Sequence, residues 1–238
     1  VLKVNGAFNT GTKQIQAGHW QVAGDFLEKL IPGIRCAELV AAGDLQGAIT
    51  NLTHRGDIAL TTCRTAGLKP FDLKASWNGQ HQRLETAQIE VSAGTSILSL
   101  GASADFDLTE REVAARLSHL SLRRGQDERF ALQQPCAIKV RAGETNALGR
   151  PWTLAVDAFQ WGGEHRTVSA TAAVAWPAQG NVRMNATNFT GADFSDFFEA
   201  KLANFWLDEL AITAQWTNGP LHSVIFASGS LTNGPDQT

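Results

Sequence analysis

The chain contains no tyrosine, one methionine and three cysteines, and 18% of its residues are charged, against about 25% in an ordinary soluble domain. Each shortage removes a reading. The absence of tyrosine argues against a membrane barrel, whose aromatic girdles use that residue heavily. The net charge of −3 with scattered Lys and Arg leaves no basic footprint for a nucleic acid. There is no apolar run of 18 residues to cross a bilayer as a helix and no leading charged-then-apolar signal segment. Cys36, Cys63 and Cys136 are too few and too spread for a metal framework. They read as three small buried residues, or, in an oxidising compartment, as a Cys36–Cys63 pair that leaves Cys136 free.

Sequence motifs for catalysis are missing as well. No Gly-x-Ser-x-Gly, His-Glu-x-x-His, phosphate-binding loop or dinucleotide fingerprint occurs, so an enzyme is not expected and no cofactor is called for. His19, His54, His81, His119, His165 and His222 are dispersed and read as surface histidines. Glu164-His165 in a glycine turn lacks the further ligands a metal needs. Asp105 and Asp107 share a strand face and read as solvated.

What is present is alternation. In residues 98–108 every even position is apolar and every odd one is Ser, Gly or Asp, which describes one long strand with an apolar and a polar face. At about 3.3 Å per residue it is roughly 36 Å long. Leu98, Leu100, Phe106 and Leu108 alone contribute about 6 to 12 kcal/mol if buried, at about 1.5 to 3 kcal/mol each. A sheet of such faces does not stay in water.

The same pattern recurs along the chain. Asn78-Gly79 signals a hairpin, Ala93-Gly94-Thr95 shifts the apolar phase as a turn does, and a bulge is expected near Ser118 or His119. The charge run of residues 123–129 reads as a hairpin tip. Cys136, Ile138, Val140 and Ala142 keep one phase; Trp152, Leu154, Val156 and Ala158 another; Val168 to Trp176 and Val182 to Ala186 follow; Ile212, Ala214 and Trp216 close into Asn218-Gly219-Pro220, and Val224 with Phe226 makes the last strand. Residues 149–151 mark a break. Only two segments have helical spacing, residues 25–31 and residues 192–206. They also echo one another: Val22-Ala23-Gly24-Asp25-Phe26-Leu27 resembles Phe189-Thr190-Gly191-Ala192-Asp193-Phe194, and Leu73 to Gly79 resembles Ile212 to Gly219. Repeated units that cannot bury their faces alone imply a stacked, elongated architecture.

Two short helices cannot cover a dozen strands. The remaining covers are a second sheet or closed barrel, lipid outside a membrane barrel, or a lipid-like ligand inside a curled sheet.

The order of signals from Gln21 to Leu122 resembles the AsmA-like superfamily: a short helical Asp25-Phe26-Leu27-Glu28-Lys29-Leu30-Ile31-Pro32, a Gly43-Asp44-Leu45-Gln46-Gly47 turn, His54-Arg55-Gly56-Asp57-Ile58-Ala59-Leu60, then the strands at 73–77 and 94–106. The resemblance implies a mainly β protein: a long twisted antiparallel sheet curled into a taco-like trough with a hydrophobic interior and one or two short helices. It implies a single elongated segment over residues 1–238, with weak repeat units at about 1–185 and 186–238, cut from a longer repeat-built protein. It further implies a periplasmic place in a diderm bacterium and an inner-membrane anchor outside this chain. The cargo that the resemblance implies is phospholipid or another acyl-chain lipid, carried between inner and outer membrane for outer-membrane biogenesis, and the partner it implies is an Omp85-type outer-membrane protein engaged through regions outside this chain. The residues expected to line the trough are Leu98, Leu100, Phe106, Leu108, Ile138, Val140, Val168, Val174, Trp176, Val182, Met184, Ile212, Trp216 and Phe226. The rival expectation is a structural or adhesive β-sandwich or solenoid closed by its own side chains.

Overall fold

The computed structural model describes residues 1–144, 151–199 and 205–231. They form one antiparallel sheet of fifteen strands. In chain order these are β1 (Leu2–Asn9), β2 (Gln14–Gly24), β3 (Glu38–Ala48), β4 (Thr53–Thr65), β5 (Leu68–Gln80), β6 (Arg83–Ala93), β7 (Ser96–Asp107) and β8 (Glu112–Arg124). They continue as β9 (Asp127–Leu132), β10 (Cys136–Ala142), β11 (Trp152–Gly163), β12 (Arg166–Trp176), β13 (Gln179–Thr190), β14 (Phe205–Thr217) and β15 (His222–Leu231). Each lane pairs with the next in sequence, so the sheet is a meander whose turns line two rims. The first rim carries the β2–β3, β4–β5, β6–β7, β8–β9, β11–β12 and β13–β14 connections, and the second carries the rest.

β9 and β10 share one lane. β8 pairs with β9 through residues 121–124 and with β10 through residues 112–117, and β11 likewise pairs with both. The break at residues 133–135 contains Pro135, which has no N–H to give the ladder. Glutamine side chains donate in its place: Gln133 Nε2 to Ala131 O at 3.0 Å and Gly162 O at 3.1 Å, and Gln134 Nε2 to Ala158 O at 3.1 Å. The register slips beside this break on both flanks, at Ser118 of β8 and between Val156 and Phe159 of β11. Bulges bend strands, and here they stand in one row.

Residues paired directly across an antiparallel ladder share a face. Val22, Ala41, Ile58, Ala75, Ile89, Leu100 and Leu120 therefore form one apolar row over seven strands. Val113, Val140, Leu154, Val174, Gly180 and Trp216 form another over the later strands. The opposite face is polar: Asp44 accepts from Arg55 Nε at 2.7 Å and lies 3.0 Å from His19 Nδ1. Hydrogen bonds from His19 and then Arg55 hold its carboxyl below the usual range.

Three glycines on the apolar face make room for indoles. A Cβ on Gly43 would lie 2.7 Å from Trp20, one on Gly56 2.4 Å from Trp77, and one on Gly180 2.1 Å from Trp216. Trp20 and Trp77 approach from opposite sides over the paired Gly43 and Gly56 and stack with centroids 6.3 Å apart.

The turn at Gly94 and Thr95, the bulge at Ser118 and the tip at Gly125 and Gln126 stand where the sequence places them. Other expectations are corrected. Asn78-Gly79 lies inside β5, because Gly79 seats the His54 ring, to which an added Cβ would come within 2.5 Å; the turn falls at His81 and Gln82, where His81 takes φ 54°. Residues 25–31 contain one helical turn, α1 (Leu27–Leu30). The described residues of the expected helix at 192–206 do not form one: a 3₁₀ turn spans Gly191–Phe194, and Phe205 and Trp206 already belong to β14. Most of the expected break at residues 149–151 lies outside the described residues, as do residues 200–204 of the expected helix.

Gly56→Ala is expected to destabilise the protein by about 1 to 3 kcal/mol through overpacking against Trp77, read from urea unfolding. Trp77→Ala in the same chain should remove most of that penalty in a double-mutant cycle, whereas Gly67→Ala, with open space around it, carries only its backbone cost.

Candidate functional site

The apolar face is the candidate site. Its two halves differ. Toward the first rim it is covered by two insertions that leave the sheet there. The first, residues 25–37, lays Phe26, Leu27, Ile34 and Cys36 against Leu39, Ala41, Ile58 and Leu60. A Cys36–Cys63 disulfide and the Arg35–Arg64 backbone bridge fasten it, and Cys136 stays free and buried. The second, residues 191–199, follows β13. The two insertions are the segments that echo one another in sequence, and they cover the same face from the same rim.

The second insertion is a strap. Asp193 accepts from Thr190 Oγ1 at 2.7 Å and from Arg166 at 2.6 Å. Asp196 accepts from Thr95 Oγ1 at 2.9 Å and Ser96 Oγ at 2.8 Å and lies 3.6 Å from Arg124 Nε. Lys69 N donates to Phe197 O and Glu199 N to Gly67 O, so the strap reaches from β13 back to β5. Seven strand spacings separate those two strands along the rim, about 34 Å at about 4.8 Å each. The eight residue-to-residue steps from Thr190 to Phe198 span at most about 29 Å when fully extended, and the 3₁₀ turn among them shortens the span further. The rim must therefore be drawn in, which makes the sheet a curled trough.

Under the strap lies a dry core. Phe130 is fully buried and stacks on Trp161 at 4.8 Å, Phe189 at 5.1 Å and Phe194 at 5.8 Å. Leu122 and Ala186 complete its centre, with Leu98, Val168, Phe197, Leu207 and Leu210 around it.

Toward the second rim no second layer covers the face among the described residues. Phe106 is 39% exposed, Val140 40% and Trp176 45%, while Leu100, Ile138, Val182 and Ile212 are half-buried. Val174 and Trp216 are buried by their neighbours: Trp216 packs edge-on to Trp176 at 5.8 Å. The protein exposes 15,296 Å², whereas a compact monomer of its 25.6 kDa exposes about 10,400 Å².

Of the residues expected to line a trough, Leu98 and Val168 belong to the dry core, and Met184 sits at its margin. Leu100, Phe106, Ile138, Val140, Val174, Trp176, Val182, Ile212 and Trp216 are brought together on the same face by register. Two expectations are corrected. Leu108 lies past the end of β7 in a turn and is 71% exposed, so the alternation outruns the strand by one residue. Phe226 pairs with Ala211 and faces the other way; Ile225, paired with Ile212, takes the inward place. The turn between β14 and β15 sets this phase: its register runs unbroken from Gln215 with His222 to Glu209 with Ser228, and the slip at Asp208 comes only beyond Phe226.

Sequence reasoning missed the strap, although Thr190-Gly191-Ala192-Asp193 carries a capping-box signature that the structure uses. Among the described residues no cluster of His, Cys, Asp or Glu gathers to hold a metal, and Glu164 and His165 are both exposed, 3.9 Å apart. No family model, curated protein or solved structure matches the chain.

The strap ties its stability to acid. Burial raises the Asp196 carboxyl, but hydrogen bonds from Ser96 and Thr95 and the charge of Arg124 outweigh it and hold the group below the usual aspartate range. A depressed carboxyl contributes stability that is present above the unfolded value of about 3.9 and is lost as pH falls through the lower folded value. Urea midpoints measured from neutral to strongly acid pH should fall at the acid end in the parent protein, and Asp196→Asn should start lower at neutral pH and lose less on acidification.

Proposed function

We propose that the protein is a non-enzymatic lipid-conduit segment, of the TamB type within the AsmA-like superfamily, whose open apolar half solvates acyl chains. One observation carries this reading: an apolar face that the register carries from β2 to β14 and whose half toward the second rim has no second layer on it among the described residues. The mechanism is passive. Lipid tails take the place of a second sheet, apolar burial drives them in without directional bonds, and head groups remain at the second rim. The Cys36–Cys63 disulfide suits an oxidising compartment such as the periplasm. An inner-membrane anchor and an Omp85-type partner belong to regions outside this chain, and transfer of phospholipid toward the outer membrane is the role proposed for the whole protein. The self-packed reading has a specific observation in its favour, the dry core under the strap, but that core occupies only the half next to the first rim.

A photoreactive residue at Val140 should crosslink co-purifying phospholipid, and one at Ala155, on the opposite face, should not. Leu100→Asp or Val174→Asp should cut the Val140 crosslink about tenfold, because an uncompensated charge on an apolar path costs several kcal/mol, with the fold checked by circular dichroism. Equal crosslinking from both faces, or none from Val140, sinks the conduit and leaves the self-packed sheet.

A further inference from the structure

The two rims of the sheet end in different chemistry. The tight turns of the first rim, at residues 66–67, 94–95, 125–126 and 164–165, carry small, polar or charged residues and no large apolar side chain. The exposed apolar residues of that rim sit on the insertions, as Ile31 and Phe198, at the start of β14, as Phe205 and Trp206, or on the edge strands. The second rim is the reverse. Ile49 in the β3–β4 turn is 60% exposed, Leu108 in the β7–β8 turn 71% and Leu221 in the β14–β15 turn 57%. Trp152 opens β11 and Trp176 closes β12 at the same rim, and both indoles are exposed. Single exposed apolar residues need no explanation, but a series of them along one rim does.

The indoles are held in place. Trp176 stacks on Trp152 at 6.4 Å and meets Trp216 edge-on at 5.8 Å, and Trp216 Nε1 donates to Pro177 O in the β12–β13 turn at 3.1 Å. Anchors fixed before docking lose little freedom when they dock. Charge is not the means of attachment here. Arg83 lies 3.5 Å from Asp105, Lys139 2.8 Å from Glu112, and Arg141 pairs with Glu110, so these cations near the second rim are answered by carboxylates of the chain itself.

The spacing of the tips selects the partner. Successive turns of one rim stand two lanes apart, about 10 Å at about 4.8 Å per lane. Polar residues such as Thr50, Asn51, Thr109, Glu110, Asn218 and Gly219 lie between the tips. A protein partner needs a continuous patch of about 800 Å² on each side, which single tips in a file do not make. A bilayer interface is fluid and takes each tip separately. It also favours indoles, whose rings are apolar and whose N–H meets the head groups.

We propose that the second rim is a membrane-docking edge, with Leu108, Trp152, Trp176 and Leu221 dipping into the boundary between head groups and acyl chains of a phospholipid bilayer. The purpose of docking rests on the conduit reading, since the open half of the apolar face meets the bilayer at this rim, but attachment itself needs only the tips.

The test uses the whole chain with vesicles of dioleoylphosphatidylcholine, read by flotation and by an environment-sensitive fluorophore on one added cysteine. Cys136 is buried and Cys36 and Cys63 are bonded to each other, which confines the label to the new site. The fluorophore should shift to the blue with vesicles when carried by Leu108→Cys and stay unshifted when carried by Glu164→Cys, on a first-rim turn. Leu108→Ser combined with Leu221→Ser should weaken flotation about tenfold or more, because two apolar side chains lose their burial. Both residues are exposed in turns, so the fold is kept. Val224→Ser combined with Phe226→Ser, at comparably exposed positions on β15, should leave flotation unchanged. Flotation should also survive about 1 M salt, where the screening length falls to about 3 Å. A parent protein that does not float, equal blue shifts at both labels, equal losses in the two double variants, or release by salt overturns the docking edge. Monomeric dihexanoylphosphatidylcholine separates this failure from that of the conduit. Crosslinking of that lipid at Val140 without flotation on vesicles removes the docking edge and leaves the conduit, whereas flotation without crosslinking removes the conduit and leaves the docking edge.

Discussion

The structure depends on one constraint, that a sheet with a single apolar face must have that face covered. The meander makes the face continuous, because every strand pairs with the next in sequence and each register aligns apolar residues with apolar residues. No second sheet exists among the described residues to cover it. Among the described residues the two insertions at the first rim are the only local cover, and both supply aromatic or aliphatic residues to the face from the same side. Their sequence similarity is thus the signature of a repeated structural task, in which one segment per stretch of sheet folds over the rim.

The alternation of residues 98–108, of Val168 to Trp176 and of Val182 to Ala186 was enough to define strands and the shared face, because period-two patterning is read directly by the pleat. Features that depend on partners were not legible. Asn78-Gly79 has turn chemistry, but its glycine is needed by the ring of His54 on the neighbouring strand. Phe226 keeps an even phase in sequence, yet the turn between β14 and β15 pairs Ile212 with Ile225 and so decides which face of β15 turns inward. The strap has helical spacing in its phenylalanines because they reach down to one core from a segment that coils only briefly.

The division of the sheet lane between β9 and β10 shows how local chemistry sets the larger shape. Pro135 withdraws a donor, glutamine side chains restore the hydrogen bonds, and the neighbouring strands bulge beside the gap. A meander of regular strands would twist as an open ribbon. Aligned irregularities let it bend, and the strap, too short to span the same strands laid flat, holds the bend.

Each of the two rival readings, a self-packed sheet and an open trough, matches one rim of the same arrangement. The dry core around Phe130 gathers residues from β7, β8, β9, β11, β12, β13 and β14, so contacts distant in sequence stabilise the curl without using the second half of the face. Net stability of a domain is only about 5 to 15 kcal/mol, and a few fully buried aromatic and aliphatic side chains are worth that much before the entropy of ordering is subtracted. Concentrating burial at one rim lets the other half stay uncovered while the fold holds. On the proposed conduit reading, an occupant of that half would add stability by binding instead of being required for folding, which is the condition under which a passive path can be loaded and emptied.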